Sequence, residues 1–305
     1  MSEASSRPMG LNIEQTVRER YSSAAACCED SLCCATNYHP DLLQIIPAEV
    51  IERDYGCGDP TAYIRQGETV VDLGAGGGKA CFVMSQIVGP QGRVIGVDCN
   101  LEMLALARRN LPTVADRLGY ANVEFRCGMI QDLRLDLDLL ASELAQHPVS
   151  DVSGWLRLRD LEDELRRSRT LIGDGSVDCV VSNCVLNLVR PADRDHLLSE
   201  VYRVLKPGGR VAISDIVANQ DVPAPLRQDP DLWSGCISGA YREDRLLAAF
   251  TTAGFSDIVV DQRQPKPWRI VQGIEFRSIT VTARKFNPID CCQHSESRPL
   301  STDCA

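Results

Sequence analysis

From residue 67 onward the apolar residues fall into two alternating patterns. Short unbroken runs, "ETVVDLG", "GRVIGVD", "NVEFRC", "SVDCVVSN" and "RVAISDIV", have the length and continuity of strands buried on both faces. Between them, "KACFVMSQIVG", "LEMLALARRNL" and "DRDHLLSEVYRVLKPGG" carry their apolar residues at helical spacing. Strands alternating with helices predict an α/β domain around a mostly parallel sheet of seven strands, with its ligand at the carboxyl ends of the strands. The preference for right-handed crossovers leaves few topologies for it. Near the end, "SDIVVDQRQ" and "RSITVTARK" read as two last strands, an antiparallel hairpin on the sheet edge.

Three segments stand outside that alternation. Residues 1–66 read as a helical cap with paired cysteines, in which "HPDLLQIIPAEVIERDYG" is expected to form an amphipathic cover over the active site, the alternative being a plain N-terminal cap. An insertion at about 136–170 has Leu158, Leu161 and Leu165 at helical spacing and a charged opposite face, which predicts a solvated helical hairpin over the sheet edge. Residues 286–305 lack periodicity and read as a disordered tail. The domain proper is then 67–285.

Composition narrows the function. With 305 residues the chain can build one large core with appendages. Its formal charge of -10 argues against a nucleic-acid partner, because domains that hold phosphate backbones present a basic face. No segment approaches the roughly 18 consecutive apolar residues of a membrane span, and "MSEASSRPMGLNIEQ" has no export signal. A soluble, cytosolic protein acting on a small molecule is expected.

The first strand runs into "DLGAGGGKA". Gly74, Gly76 and Gly78 follow Asp72, which allows a tight turn and close approach of backbone to a ligand at a helix N-terminus. Asp98 ends the second strand, where a carboxylate can accept both hydroxyls of a ribose. A dinucleotide site would place its glycines as G-x-G-x-x-G. The D-x-G-x-G-x-G found here resembles motif I of the class I methyltransferases, a Rossmann-like fold whose cofactor is S-adenosyl-L-methionine. By that resemblance "CGMIQDL" is the adenine-contacting turn, with Met129 and Ile130 near the ring, and "LKPGGRVAISD" is the loop and strand that close the fold, Pro207, Gly208 and Gly209 forming a turn.

Fourteen cysteines are anomalous in a chain too large to need disulfide staples, and point to thiol chemistry or metalloid binding. Cys81, Cys99, Cys127 and Cys179 sit in apolar patterns and are expected to be core residues. Three others are placed differently. Cys184 follows Ser182 and Asn183 where the fourth strand emerges at the ligand site, and Cys57 and Cys236 are flanked by Gly56, Gly58 and Gly235, which let the backbone fold a thiol inward. Trivalent arsenic is soft, takes three sulfurs pyramidally and keeps a lone pair.

"YGCG", "SNCVLNL" and "GCISGA" resemble, in order, the three arsenic-binding segments of the arsenite S-adenosylmethionine methyltransferases, over roughly residues 50 to 255. The resemblance implies that Cys57, Cys184 and Cys236 are thiolate ligands of substrate As(III), and that Asp72, Gly74, Gly76, Asp98, Met129, Ile130 and Asn183 surround the cofactor. It also implies a fourth cysteine, in an N-terminal Cys-Cys pair, that forms a disulfide with Cys57 during turnover, with thioredoxin or glutathione as reductant. Cys27, Cys28, Cys33 and Cys34 compete for that role, and Cys34 is the choice. Ala75 and Lys79 stand where members often carry cysteine and aspartate. The alternatives are a methyltransferase acting on selenium, tellurium or an organic thiol, and a metalloid-binding protein without turnover. No structural metal is expected: "CCEDSLCC" lacks paired C-x-x-C spacing, and His39 is the one nearby imidazole. The three cysteines of the tail, Cys291, Cys292 and Cys304, are read as inert, the alternative being that they hand metalloid to the site.

Overall fold

A computed structural model describes residues 12–29, 32 and 38–287. The chain begins with helix α1 (Ile13–Ala26), capped by Asn12, whose Oδ1 accepts from the amide of Gln15. The short helices α2 (Pro40–Leu43) and α3 (Ala48–Ile51) lead to the sheet. Strand β1 (Thr69–Leu73), α4 (Lys79–Val88), β2 (Arg93–Asp98), α5 (Leu101–Leu118) and β3 (Val123–Cys127) form the first crossovers. The insertion is the expected helical hairpin, α6 (Leu137–Gln146) and α7 (Val152–Ser168), each capped by an aspartate, Asp136 and Asp151. Then come β4 (Val177–Asn183), α8 (Arg194–Val204), β5 (Leu205–Ala218), α9 (Ala224–Arg227), α10 (Pro230–Ser234), β6 (Tyr241–Arg242), α11 (Glu243–Thr252), β7 (Phe255–Arg263), β8 (Arg269–Val271) and β9 (Ile274–Lys285).

The main sheet runs β3-β2-β1-β4-β5-β9-β7, with β6 beside β5 and β8 beside β9. β1 to β5 pair in parallel, and β9 is antiparallel to both of its neighbours. The last hairpin is therefore not simply added to the edge: β9 lies inside the sheet and β7 outside. Burial explains the order. Phe276, Ile279, Val281 and Ala283 of β9 are buried, whereas beyond Phe255 the residues of β7 are exposed or half-buried, as an edge strand tolerates.

Alternation along β1 divides the core. Val71 and Leu73 face a cluster with α8 and α11, while Val70 faces α4 and α5. Ile46 and Val50 belong to this second cluster. The segment expected to cover the active site thus packs its apolar residues against α4 and α5, while its last four residues, Arg53 to Gly56, line the cleft together with α1. Two local boundaries also differ from the sequence pattern. α5 continues through Pro112 because the next turn still buries Val114, and the loop expected at Pro207, Gly208 and Gly209 is a bulge inside β5, whose register opposite Val177 and Cys179 jumps from Leu205 to Arg210.

Candidate functional site

The carboxyl ends of β1, β2 and β4 open into a cleft of about 290 Å³. Gly74, Gly76 and Gly78 all have positive φ (75°, 51° and 89°), a turn that side chains resist. A Cβ at Gly74 would lie 2.5 Å from Val185 Cγ2, so the loop also lies hard against the exit of β4. Asp98 fixes the loop from β2. Its Oδ2 accepts from the Gly76 amide and its Oδ1 from the Asn100 amide, both at 2.8 Å, and the Cys99 amide also bonds the carboxylate. Burial raises its pKa, and these amide contacts oppose the rise. Met129, Ile130 and Leu137 line the same cleft. A carboxylate able to accept a diol, beside apolar walls and a glycine turn, fits an adenosine.

Asp72 sits beneath the loop, buried. Burial above all pushes its pKa up to about 7; the Cys81 thiol, 3.2 Å from Oδ2, opposes this, and Asp54 and Asp98 add to it. Its ordinary value is 3.8, so native protein holds a proton here that unfolded chain has released. The resulting stability is complete below about pH 4 and lost as pH rises through about 7. Thermal melts at pH 5 and 8 check this: Asp72→Asn is expected to flatten the fall in melting temperature of the parent protein and to be the more stable at pH 8. An unchanged pH slope would contradict the assignment.

At the exit of β4, where Cys184 lines the cleft, three segments distant in sequence bring their cysteines into one apolar cluster. Cys57, Cys184 and Cys236 are 8%, 5% and 6% exposed and share one apolar cluster with Ile216, Ile237 and Phe276. Cys57 and Cys184 are joined by a disulfide, with Cα atoms 5.7 Å apart. Of the cysteines expected to pair with Cys57 during turnover, Cys33 and Cys34 lie outside the described residues. The Cys236 thiol donates to the carbonyl of Cys184 at 3.3 Å. A carboxylate oxygen of Asp215 lies within 4.8 Å of both bonded sulfurs. Burial chiefly raises the Asp215 pKa to about 6, while the backbone amides of Ile216, Asn187 and Leu186 act against it.

Several contacts hold this arrangement. Asn183, expected at the cofactor, lines the cleft but uses its amide on the Cys57 segment: Oδ1 accepts from the amides of Cys57 (2.8 Å) and Gly58 (3.1 Å), and Nδ2 donates to the Gly58 carbonyl (2.8 Å). Ser278 of β9 donates to the Cys57 carbonyl at 2.7 Å. Lys79 pairs with Asp54 at 2.9 Å, tying α4 to the same segment. α1 spans the cleft: the Arg18 carbonyl accepts from Asn100 Nδ2, and Arg20 donates to the Asp231 carbonyl and Ser234 Oγ of α10. Tyr21 of α1 lines the cleft, hydrogen-bonds Cys236 and packs edge-on against Tyr55. Sequence reasoning passed over α1, Asn187 and Asp215, although Asn187 stands in "SNCVLNL".

The remaining cysteines divide. Cys81, Cys127 and Cys179 are buried as expected, and burial pushes Cys127 up to about 11 and Cys179 to about 12, which keeps them as inert thiols. Cys99 is exposed, a correction to the core assignment: following Asp98, it has left β2 and lines the cleft. Cys27 and Cys28 are exposed at the end of α1. Cys33, Cys34, Cys291, Cys292 and Cys304 lie outside the described residues. No helix among the described residues is long and apolar enough to cross a membrane.

Comparison with known proteins agrees with this geometry. A family model described as "Methyltransferase domain" matches residues 64–254. The arsenite methyltransferase of Aquipseudomonas alcaligenes is 38% identical over 241 residues, covering 79% of this chain and 59% of its own length; that of Halobacterium salinarum is 34% identical, covering 81% and 58%. The chain thus spans about three-fifths of the length of these curated relatives. The crystal structure of an arsenic(III) S-adenosylmethionine methyltransferase from Chlamydomonas reinhardtii superposes with a TM-score of 0.64 at 29% identity, over 84% of this chain and 75% of that one. With its glycine turn, its strand order and a family match over most of its length, the chain belongs to the methyltransferase domain family, carries the class I fold, and is related to the arsenite methyltransferases.

Proposed function

We propose that this chain transfers the methyl group of S-adenosylmethionine to trivalent arsenic held by Cys57, Cys184 and Cys236. The observation that carries the reading is that these three buried cysteines, from three separate segments, share one cluster, of which Cys184 lines the cleft beside the glycine turn. Asp98 would hold the ribose, Met129 and Ile130 the adenine, and the turn at Gly74 and Gly76 the amino-acid end. The cofactor supplies an electrophilic methyl group on a sulfonium.

The chain's own contribution is to hold and align. Arsenite exchanges three hydroxyls for three thiolates; each As–S bond formed releases one water, which takes up the thiol proton. Arsenic so bound presents its lone pair, and no general base is needed because no X–H bond breaks. Alignment of attacking and accepting atoms is worth up to about 7–11 kcal/mol. The lone pair becomes the As–C bond and the S–C electrons remain on sulfur, so arsenic becomes formally pentavalent. Two electrons return it to the trivalent state if Cys57 and Cys184 close the disulfide found between them. A dithiol such as thioredoxin, or glutathione, would then reopen the site. Residues 1–66 act as a cap whose α1 covers the cleft, and residues 67–285 form the catalytic domain.

Reduced protein incubated with S-adenosylmethionine and, in parallel, arsenite, selenite, tellurite or a small thiol tests the reading: methyl transfer to arsenite is expected to dominate, and a preference for another acceptor would overturn it. For the cofactor, Asp98→Ala removes two charge-assisted hydrogen bonds to the ribose, and calorimetry is expected to register at least about a tenfold loss of affinity. Unchanged affinity would contradict the role given to Asp98.

A further inference from the structure

Two of the four non-glycine residues with positive φ among the described residues are Cys184, at 62°, and Cys236, at 60°. A left-handed conformation at a residue with a side chain persists only where the surroundings over-determine it. Here the surroundings are specific. Asn187, 1% exposed, donates from Nδ2 to Asp215 Oδ1 (2.8 Å) and to the Ile216 carbonyl (2.6 Å), and the Cys236 carbonyl lies 3.4 Å from the same nitrogen as a shared, longer contact. Asp215, 2% exposed, accepts in turn from the amides of Leu186 (2.9 Å) and Ile216 (2.7 Å). One carboxamide and one carboxylate thus connect the turn after Cys184, the strand beneath it and the backbone of Cys236. Arg194 reinforces the junction, donating to the carbonyls of Asn187 (3.2 Å) and Gly239 (2.7 Å). The fit is close enough that a Cβ at Gly239 would fall 1.9 Å from the Asn187 carbonyl oxygen.

We propose that Asn187 and Asp215 are a positioning pair that sets the spacing and orientation of the Cys184 and Cys236 thiols. The inference rests on the reading of these thiols as the acceptor site. It assigns a role to the second asparagine of "SNCVLNL" and to a buried carboxylate that contributes no atom to the reaction. Methyl transfer to arsenic asks of the protein a fixed pair of sulfurs, since two thiolates at the wrong separation cannot share one small pyramidal centre.

The test reads thiol geometry without arsenic. In a Cys57→Ser background, dibromobimane joins Cys184 to Cys236 only when the two lie side by side, giving a fluorescent product located by peptide mass spectrometry. Asn187→Ala is expected to slow that cross-link by about fivefold or more, with S-adenosylmethionine affinity held within about twofold. Asp215→Asn, which keeps the volume but turns a donor toward amides that need an acceptor, is expected to do the same. The double variant should lose little more than either single, because the two side chains act as one unit. With Cys57 restored, KM for methylarsenite should rise about tenfold in Asn187→Ala while KM for the cofactor stays unchanged. Wild-type cross-linking in folded Asn187→Ala, or in Asp215→Asn, would overturn the proposal. Absence of arsenite methylation by the parent protein would instead sink the proposed function, and the cross-linking result would still decide the positioning role.

Discussion

Replacing Cys184 by serine is expected to stop methylation of arsenite and methylarsenite alike, to below about one hundredth of the parent rate. Cys184 emerges from β4 into the cleft with its backbone in the left-handed region, and its carbonyl accepts from the Cys236 thiol. A serine hydroxyl is a hard donor that stays protonated, and soft trivalent arsenic selects thiolate. Cys236→Ser should have the same outcome. Both variants should bind S-adenosylmethionine normally, because Asp98 and the glycine turn are built from β1 and β2. Product formation by mass spectrometry and cofactor binding by calorimetry separate the two effects. A Cys184→Ser variant that methylates either arsenical at a near-parent rate would make Cys184 a core cysteine and displace the arsenic site.

Cys57→Ser should divide the two substrates. Arsenite offers three exchangeable valences and needs all three sulfurs; methylarsenite has one valence occupied by carbon and can be held by two. Cys57 lies on the loop after α3, held to the sheet by Asn183 and Ser278, whereas Cys184 and Cys236 are coupled through Asn187. The variant is expected to lose arsenite methylation, to below about one hundredth, yet to retain measurable first turnover of methylarsenite. Since Cys57 is also the disulfide partner of Cys184, repeated turnover should depend on added thiol more strongly than in the parent protein. Equal loss on both substrates would mean that methylarsenite also needs the third sulfur.

Much of this was legible because the signals are local. The runs of β1, β2 and β4, the glycine turn and the carboxylate at Asp98 each follow from a few consecutive residues whose conformation or burial permits little else. The three cysteines proposed to bind arsenic were marked by glycine neighbours and by position at a strand end. What the sequence concealed depends on partners far away in the chain. α1 was missed as the cover because it is held by Asn100 and by the α10 segment, through Ser22, Arg18 and Arg20, contacts that no periodicity records. In "HPDLLQIIPAEVIERDYG" the apolar stripe states only that something is covered, here α4 and α5, and it is the residues after it, Arg53 to Gly56, that line the cleft. Cysteine spacing does not determine connectivity, which is why the pairing of Cys57 with Cys184 could not be read. Asn183 was placed at the cofactor from its position at the end of β4, and it lines the cleft; what position alone did not reveal is that its amide also holds the Cys57 segment.

The central claim is that the methyl group passes from the sulfonium directly to thiolate-bound arsenic. Reduced protein supplied with arsenite, thiol and S-adenosylmethionine carrying a trideuterated methyl group tests it most directly, with arsenic products separated and weighed by mass spectrometry. The account predicts methylated arsenic bearing the intact trideuterated methyl group, formed in step with S-adenosylhomocysteine and absent in Cys184→Ser. Release of S-adenosylhomocysteine with no label on arsenic, or no turnover at all with arsenite, would contradict it.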